Sequence, residues 1–130
     1  MIIIENEDLK HKRIFYNNSR EWTALIPAAG RGSRLGYSLP KILFPINGRP
    51  ILDHLIANLS SYCSEFVFIL SPDGKAHVKP HLERLIHGRY KICIQEEPLG
   101  MGDAISKADG NIESKHTLIL DEICRLDQIY

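Results

Sequence analysis

A chain of 130 residues, 44% hydrophobic and 25% charged, has the composition of one ordinary globular domain and is too short for a second full one. Sixteen Lys and Arg balance sixteen Asp and Glu, so no bulk field would draw nucleic acid or an acidic membrane surface. No apolar run is long enough to span a bilayer, and Ile2-Ile3-Ile4 has neither the length nor the basic flank of a secretory leader. Cys63, Cys93 and Cys124 are odd in number, far apart and without a CxxC pair, so reduced and mostly buried thiols are expected. Together these features predict a cytoplasmic protein with no nucleic-acid and no membrane partner.

In chain order, residues 1–21 carry no sustained period and read as an N-terminal extension, lying on the surface or adding an edge strand. Residues 22–130 read as one domain. Ala24-Leu25-Ile26 is a short apolar run suited to a strand buried on both faces. A glycine-rich loop follows, then Ile42-Leu43-Phe44 and a turn at Asn47-Gly48. Pro50 suits a first helical position, and Ile51, Leu52, Leu55, Ile56 and Leu59 form one helical stripe behind it. Phe66 to Leu70 predicts a second strand closed by a turn at Ser71-Pro72-Asp73-Gly74. A helix through Leu82, Leu85 and Ile86 ends before Gly88. Tyr90 to Gln95 and Thr117 to Leu120 complete the strands. Alternating strands and helices of this size predict an α/β, Rossmann-like fold: a mostly parallel sheet with helices on both faces. Ligands of such sheets gather beyond the carboxyl ends of the strands. Two loops there are unusual, Pro27 to Lys41 and Glu96 to Gly102.

From Trp22 through Leu52 there is no Asp or Glu, while Arg31, Arg34, Lys41 and Arg49 all fall within that interval. Cations on a glycine-rich segment suggest a local anion site, although a solvated loop with distant partners gives the same composition. A P-loop is excluded, because no Lys follows a glycine at GxxxxGK spacing. A dinucleotide fingerprint starts well at Gly30-Arg31-Gly32, but Gly36 comes one residue late and Pro40 blocks a long helix. Asp53, near the distance of a ribose acid, keeps that reading open.

The residues as they stand, IPAAGRGSRLGYSLPK, resemble the signature of the nucleotidyltransferases that join a nucleoside triphosphate to a sugar phosphate: an apolar strand, AAGxGxR, a variable spacer, and Pro-Lys. FPINGRPILDHLI matches the family's continuation. QEEPLGMGDAI, from Gln95 to Ile105, resembles its base-reading segment as found in N-acetylglucosamine-1-phosphate uridylyltransferases. The resemblance covers about Trp22 to Leu120. It implies a reaction of NTP, here UTP, with a sugar 1-phosphate to give nucleotide-sugar and pyrophosphate, with Mg²⁺ as cofactor. It also implies that Pro27, Ala28, Ala29, Gly30, Arg31 and Gly32 cradle the nucleotide. Arg34 and Lys41 are the implied catalytic cations, on the departing phosphates and near the α-phosphate. Gln95 would meet the uracil edge with both ends of its amide, with Leu99, Gly100 and Met101 bordering base and ribose. The chemistry asks for such residues. A phosphate monoester is already ionised at neutral pH, so the site needs screening charge, close backbone approach and alignment rather than a general base.

Other candidates are bland. His77 and His81 have metal-pair spacing, but Pro80 lies between them and no acidic third ligand is evident, so solvated surface is expected. Asp53 is expected to serve the dipole of its helix, Arg49 either steadies a turn or faces the site, and Tyr37 is a candidate lid contact.

The resemblance also breaks. Where the family carries a Gly-Asp metal site after the fourth strand, this chain has Asp121-Glu122, with an Asp127-Gln128 pair further on; Asp121 is the expected Mg²⁺ ligand. Met101 stands where a hydroxyl residue is frequent. The family's acceptor-holding half would follow Tyr130, so the 130 residues read as truncated, catalytically incomplete alone, and prone to self-association into a homo-oligomer. A non-catalytic nucleotide-binding module of the same descent is the alternative reading.

Overall fold

The computed structural model describes residues 2–4, 22–30 and 36–120, and a five-stranded sheet organises them. The strands are β1 (Ile2–Ile4), β2 (Trp22–Pro27), β5 (Glu65–Leu70), β6 (Tyr90–Ile94) and β7 (His116–Ile119), in the order β1-β7-β2-β5-β6. β7, β2, β5 and β6 run parallel, and β1 joins the β7 edge antiparallel, Ile2 opposite Ile119 and Ile4 opposite Thr117. A separate two-stranded ladder, β3 (Pro45–Ile46) with β4 (Arg49–Pro50), closes through Asn47 and Gly48. Both turn residues have positive φ, 53° and 79°, the conformation that favours Asn-Gly in a tight hairpin.

Two apolar layers sandwich the sheet. Alternation along β2 sends Ala24 and Ile26 to one face and Leu25 to the other. The first face carries Phe66, Phe68, Leu70 and Leu118 and is covered by α1 (Ile51–Leu59) and α2 (Pro72–Ile86) through Ile51, Leu52, Ile56, Val78, Leu82 and Ile86. The second face, Leu25, Val67, Ile69, Cys93 and Ile119, is covered by Ala104 of α3 (Met101–Ser106) and by Ala108 just beyond it. The expected architecture, parallel strands with helices on both faces, is therefore the one observed. Cys63 and Cys93 are buried free thiols, and burial pushes Cys63 up to about 11.

At the amino ends of β5 and β6, Lys91 Nζ donates to Asn111 O and Glu113 Oε2, both at 2.9 Å, and pairs with Glu65 at 3.3 Å. The Glu113 hydrogen bond holds Lys91 above and Glu113 below their ordinary values. Cys124 lies outside the described residues.

Three expectations are corrected. Ser71-Pro72-Asp73-Gly74 is not a free turn but the start of α2: Ser71 Oγ accepts from Gly74 N at 2.8 Å as N-cap, and Pro72 fills the first turn. The helix then runs through Pro80, because its Val78, Leu82 and Ile86 stripe is buried on both sides of that residue. Tyr37 is not a lid contact, since its hydroxyl donates to Leu43 O at 3.1 Å and its ring meets Phe44 edge-on at 5.3 Å. Asp53 does more than serve a dipole: it is only 7% exposed, and Arg84 of α2 donates to its Oδ2 at 3.5 Å. A carboxylate turned into the α1–α2 contact is a poor ribose acid, which removes the main support for the dinucleotide reading.

Gly48→Ala is expected to lower stability by about 1–2 kcal/mol through backbone strain alone, since a Cβ there meets open space. Gly102→Ala, in helical backbone and equally open, is expected to hold stability or raise it by up to about 1 kcal/mol. Urea denaturation midpoints of the two variants check the contrast.

Candidate active site

The order of the strands locates a topological switch point. From β2 the chain steps to β5 and then β6 on one side, then returns across the sheet to β7 on the other side of β2. The connections thus diverge between β2 and β7, and a parallel sheet binds ligands beyond the carboxyl ends at such a point. The glycine-rich loop leaves β2 there.

Its first residues are fixed by the sheet. Ala28 N donates to Ile69 O at 2.7 Å, carrying the β2–β5 pairing one residue past the strand. Ala28 is buried, while Pro27, Ala29 and Gly30 are half-buried at the rim. Lys41 N then donates to Gly30 O at 3.1 Å. That bond closes the neck of the excursion from 31 to 40, so the backbone at Gly30 and the stem of Lys41 are adjacent. Lys41 opens a 3-10 turn, Lys41–Leu43, whose Ile42 and Leu43 are buried. Its ammonium therefore stands on an anchored base, and among the described residues it has no ion-pair partner. Pro40 is buried beside the first turn of α2, 3.7 Å from where a Cβ on Gly74 would sit. Arg49 is exposed on the β3–β4 hairpin, opposite Ile46. Arg31, Gly32, Arg34 and Asp121 lie outside the described residues, as do Glu122 and Asp127.

On the other side of β5, Gln95 N donates to Leu70 O at 2.9 Å, continuing the β5–β6 pairing in the same way. Ala28 and Gln95 thus flank the end of β5, two strand spacings or about 10 Å apart. The Gln95 side chain is 5% exposed, and its Nε2 donates to Asp103 Oδ2 at 2.9 Å and to Gly100 O at 3.2 Å. The two-ended reading of Gln95 is corrected on this point: its donor is committed within the chain, and its carbonyl oxygen bonds to none of the described residues. Gly100 has φ 96°, a backbone that glycine favours, and caps α3. Leu99 and Met101, on either side of Gly100 in the sequence, are 64% and 36% exposed, the exposed large hydrophobics among the described residues.

α3 and Asp103 were not foreseen. Asp103 is legible in sequence only as an acid in the first turn of a short segment after Gly100; its bond to Gln95 depends on the loop closing between them. His77 is exposed on α2, and Arg84 donates to His81 Nδ1 at 3.2 Å. Among the described residues no three His, Cys, Asp or Glu side chains gather as a metal cage. These residues do not make a Mg²⁺ site by themselves.

Residues 24–120 match the description of the MobA-like NTP transferase domain. The chain belongs to that family. Bifunctional protein GlmU of Parvibaculum lavamentivorans is 37% identical over 97 residues, covering 75% of this chain and 21% of its own length. Bifunctional protein GlmU of Acholeplasma laidlawii is 32% identical over 95 residues, with 68% and 20% covered. The chain thus spans about a fifth of the length of these curated relatives. Among solved structures, HddC from Yersinia pseudotuberculosis complexed with GMP-PN superposes with a TM-score of 0.66 at 25% identity, covering 77% of this chain and 47% of that one. The inositol-1-phosphate CTP transferase from T. maritima gives 0.67 at 16% identity, over 80% and 44%, a likeness of fold alone. No helix among the described residues is long and apolar enough to cross a membrane.

The exposed rim and the core make opposite demands. Leu99→Ser is expected to leave unfolding free energy within about 0.5 kcal/mol, whereas Leu82→Ala, on the fully buried face of α2, costs about 2–5 kcal/mol. Chemical denaturation followed by circular dichroism checks both.

Proposed function

We propose that the protein binds a nucleoside triphosphate, UTP, across the carboxyl edge of β2, β5 and β6 and serves in the transfer of its uridylyl group to a sugar 1-phosphate, with release of pyrophosphate. The observation that carries the reading is the pair of sheet-continuing bonds, Ala28 N to Ile69 O and Gln95 N to Leu70 O. They hold the glycine loop and the glutamine at one edge, spaced as the phosphate and base ends of a nucleotide require. The exposed Leu99 and Met101 support it, because they give a base or ribose an apolar surface to cover.

In this reading the triphosphate lies along the backbone from Ala29 to Gly32, where small residues let N–H groups approach the anion. Lys41 acts as a compact charge near the α-phosphate, and Arg34 grips the β- and γ-phosphates through its planar fork. An ionised oxygen of the sugar phosphate attacks the α-phosphorus, and the bond to the β-bridging oxygen breaks as pyrophosphate leaves. Mg²⁺, held on the phosphates with Asp121, would supply charge neutralisation between them. The roles argued for the described residues are binding and orientation. The cytoplasm, where nucleoside triphosphates are held, is the location consistent with this substrate.

Calorimetric titration of the chain with UTP in Mg²⁺ tests the assignment. Lys41→Ala is expected to weaken binding by about 1.5–3 kcal/mol, roughly ten- to a hundredfold. Leu99→Ser should cost several-fold and His77→Ala nothing. Equal affinity in wild type and Lys41→Ala would sink the reading.

A further inference from the structure

We infer that Asp103 decides which bases the site accepts, by fixing the amide of Gln95 in one orientation. The inference rests on the nucleotide reading of this edge. Gln95 Nε2 faces two groups that only accept, the Asp103 carboxylate at 2.9 Å and the Gly100 carbonyl at 3.2 Å. Reversing the amide would set Oε1, in a side chain that is 5% exposed, against two oxygens that only accept, and would leave its buried oxygen opposed. Each partner is itself held. Gly100 O also accepts Ala104 N at 3.1 Å, and Asp103 pairs with Lys107 one turn on at 3.8 Å. Asp103 sits in α3, whose Ala104 is buried against the second face of the sheet.

The consequence is chemical. With Nε2 committed, Gln95 presents an acceptor and no donor to a ligand. A base whose Watson–Crick ring nitrogen carries hydrogen satisfies it: uracil and thymine through N3–H, guanine through N1–H. Cytosine and adenine present a lone pair at that position. They can reach Oε1 only through the exocyclic amine, by sliding the ring away from where the phosphates are anchored. Asp103 touches no base, so it is a positioning residue that separates the two sets of nucleotides.

Competition among UTP, dTTP, GTP, CTP and ATP tests this, with Mg²⁺ present. Wild type should favour UTP over CTP by roughly ten- to a hundredfold. In Asp103→Ala the freed amide can reverse, and the ratio should fall to within about threefold, mainly through tighter CTP binding. Asp103→Asn, nearly isosteric, should give an intermediate ratio. In a Gln95→Met background, Asp103→Ala should not change the ratio further. A purely structural Asp103 would weaken UTP and CTP alike, and that result, or an unchanged ratio, overturns the inference. Wild type binding UTP and CTP equally also overturns it while leaving the nucleotide site standing; wild type binding no nucleotide removes both. Without ligand, the Gln95 side-chain amide protons should exchange slowly in ¹⁵N spectra and faster in Asp103→Ala; equal exchange overturns the lock.

Discussion

β2 is hydrogen-bonded to a parallel strand on each side and buried on both faces, and the rest of the described structure is arranged around that constraint. A strand in this position has no free backbone group within the sheet, so its first unpaired residues occur only where it leaves. That exit is at Ala29 and Gly30, just past the bond from Ala28 N to Ile69 O. Because β5 and β7 flank it in register, the exit lies at a fixed height. The exposed backbone at the rim is thus a product of the topology, and the glycines make it approachable.

The second fixed point is the neck between Gly30 and Lys41. One backbone bond converts a ten-residue excursion into a closed loop whose ends cannot drift apart. The 3-10 turn after it buries Ile42 and Leu43, and Tyr37 folds back onto Leu43 and Phe44. Apolar anchoring therefore sits immediately beside the cation. This explains why Pro-Lys follows a variable spacer: the spacer can change as long as the neck closes.

Much of this was legible in the sequence, for identifiable reasons. The strands at 24–26 and 66–70 are short uninterrupted apolar runs, as buried parallel strands produce, and 90–95 alternates. The glycine loop and the QEEPLG block were legible as motifs, and their placement at one edge follows from parallel pairing. The start of α2 was missed because Ser-Pro-Asp-Gly serves a turn and an N-cap equally well; the decision came from Val78 and Leu82 packing on the sheet. Tyr37 was misread because aromatic residues in loops carry no periodicity. The state of Gln95 was beyond sequence reasoning altogether. Its partners are 5 and 8 residues away along a loop with no regular spacing, and only the positive φ at Gly100 brings them together.

The two sheet faces are unequally insulated. Among the described residues, α1 and α2 set leucines, isoleucines and a valine on the first, whereas the second is met by Ala104 and Ala108, with Ile105 and Ile112 only partly buried. Alanine methyls remove little apolar area from water, so unfastening α3 alone forfeits far less than unfastening α1 or α2. A six-residue helix adds little cooperativity of its own. Among the described helices, the one bearing Met101 and Asp103 is accordingly the one that lifts at least cost. In the nucleotide reading proposed above, entry and escape of a base would be governed by transient lifting of this one short helix.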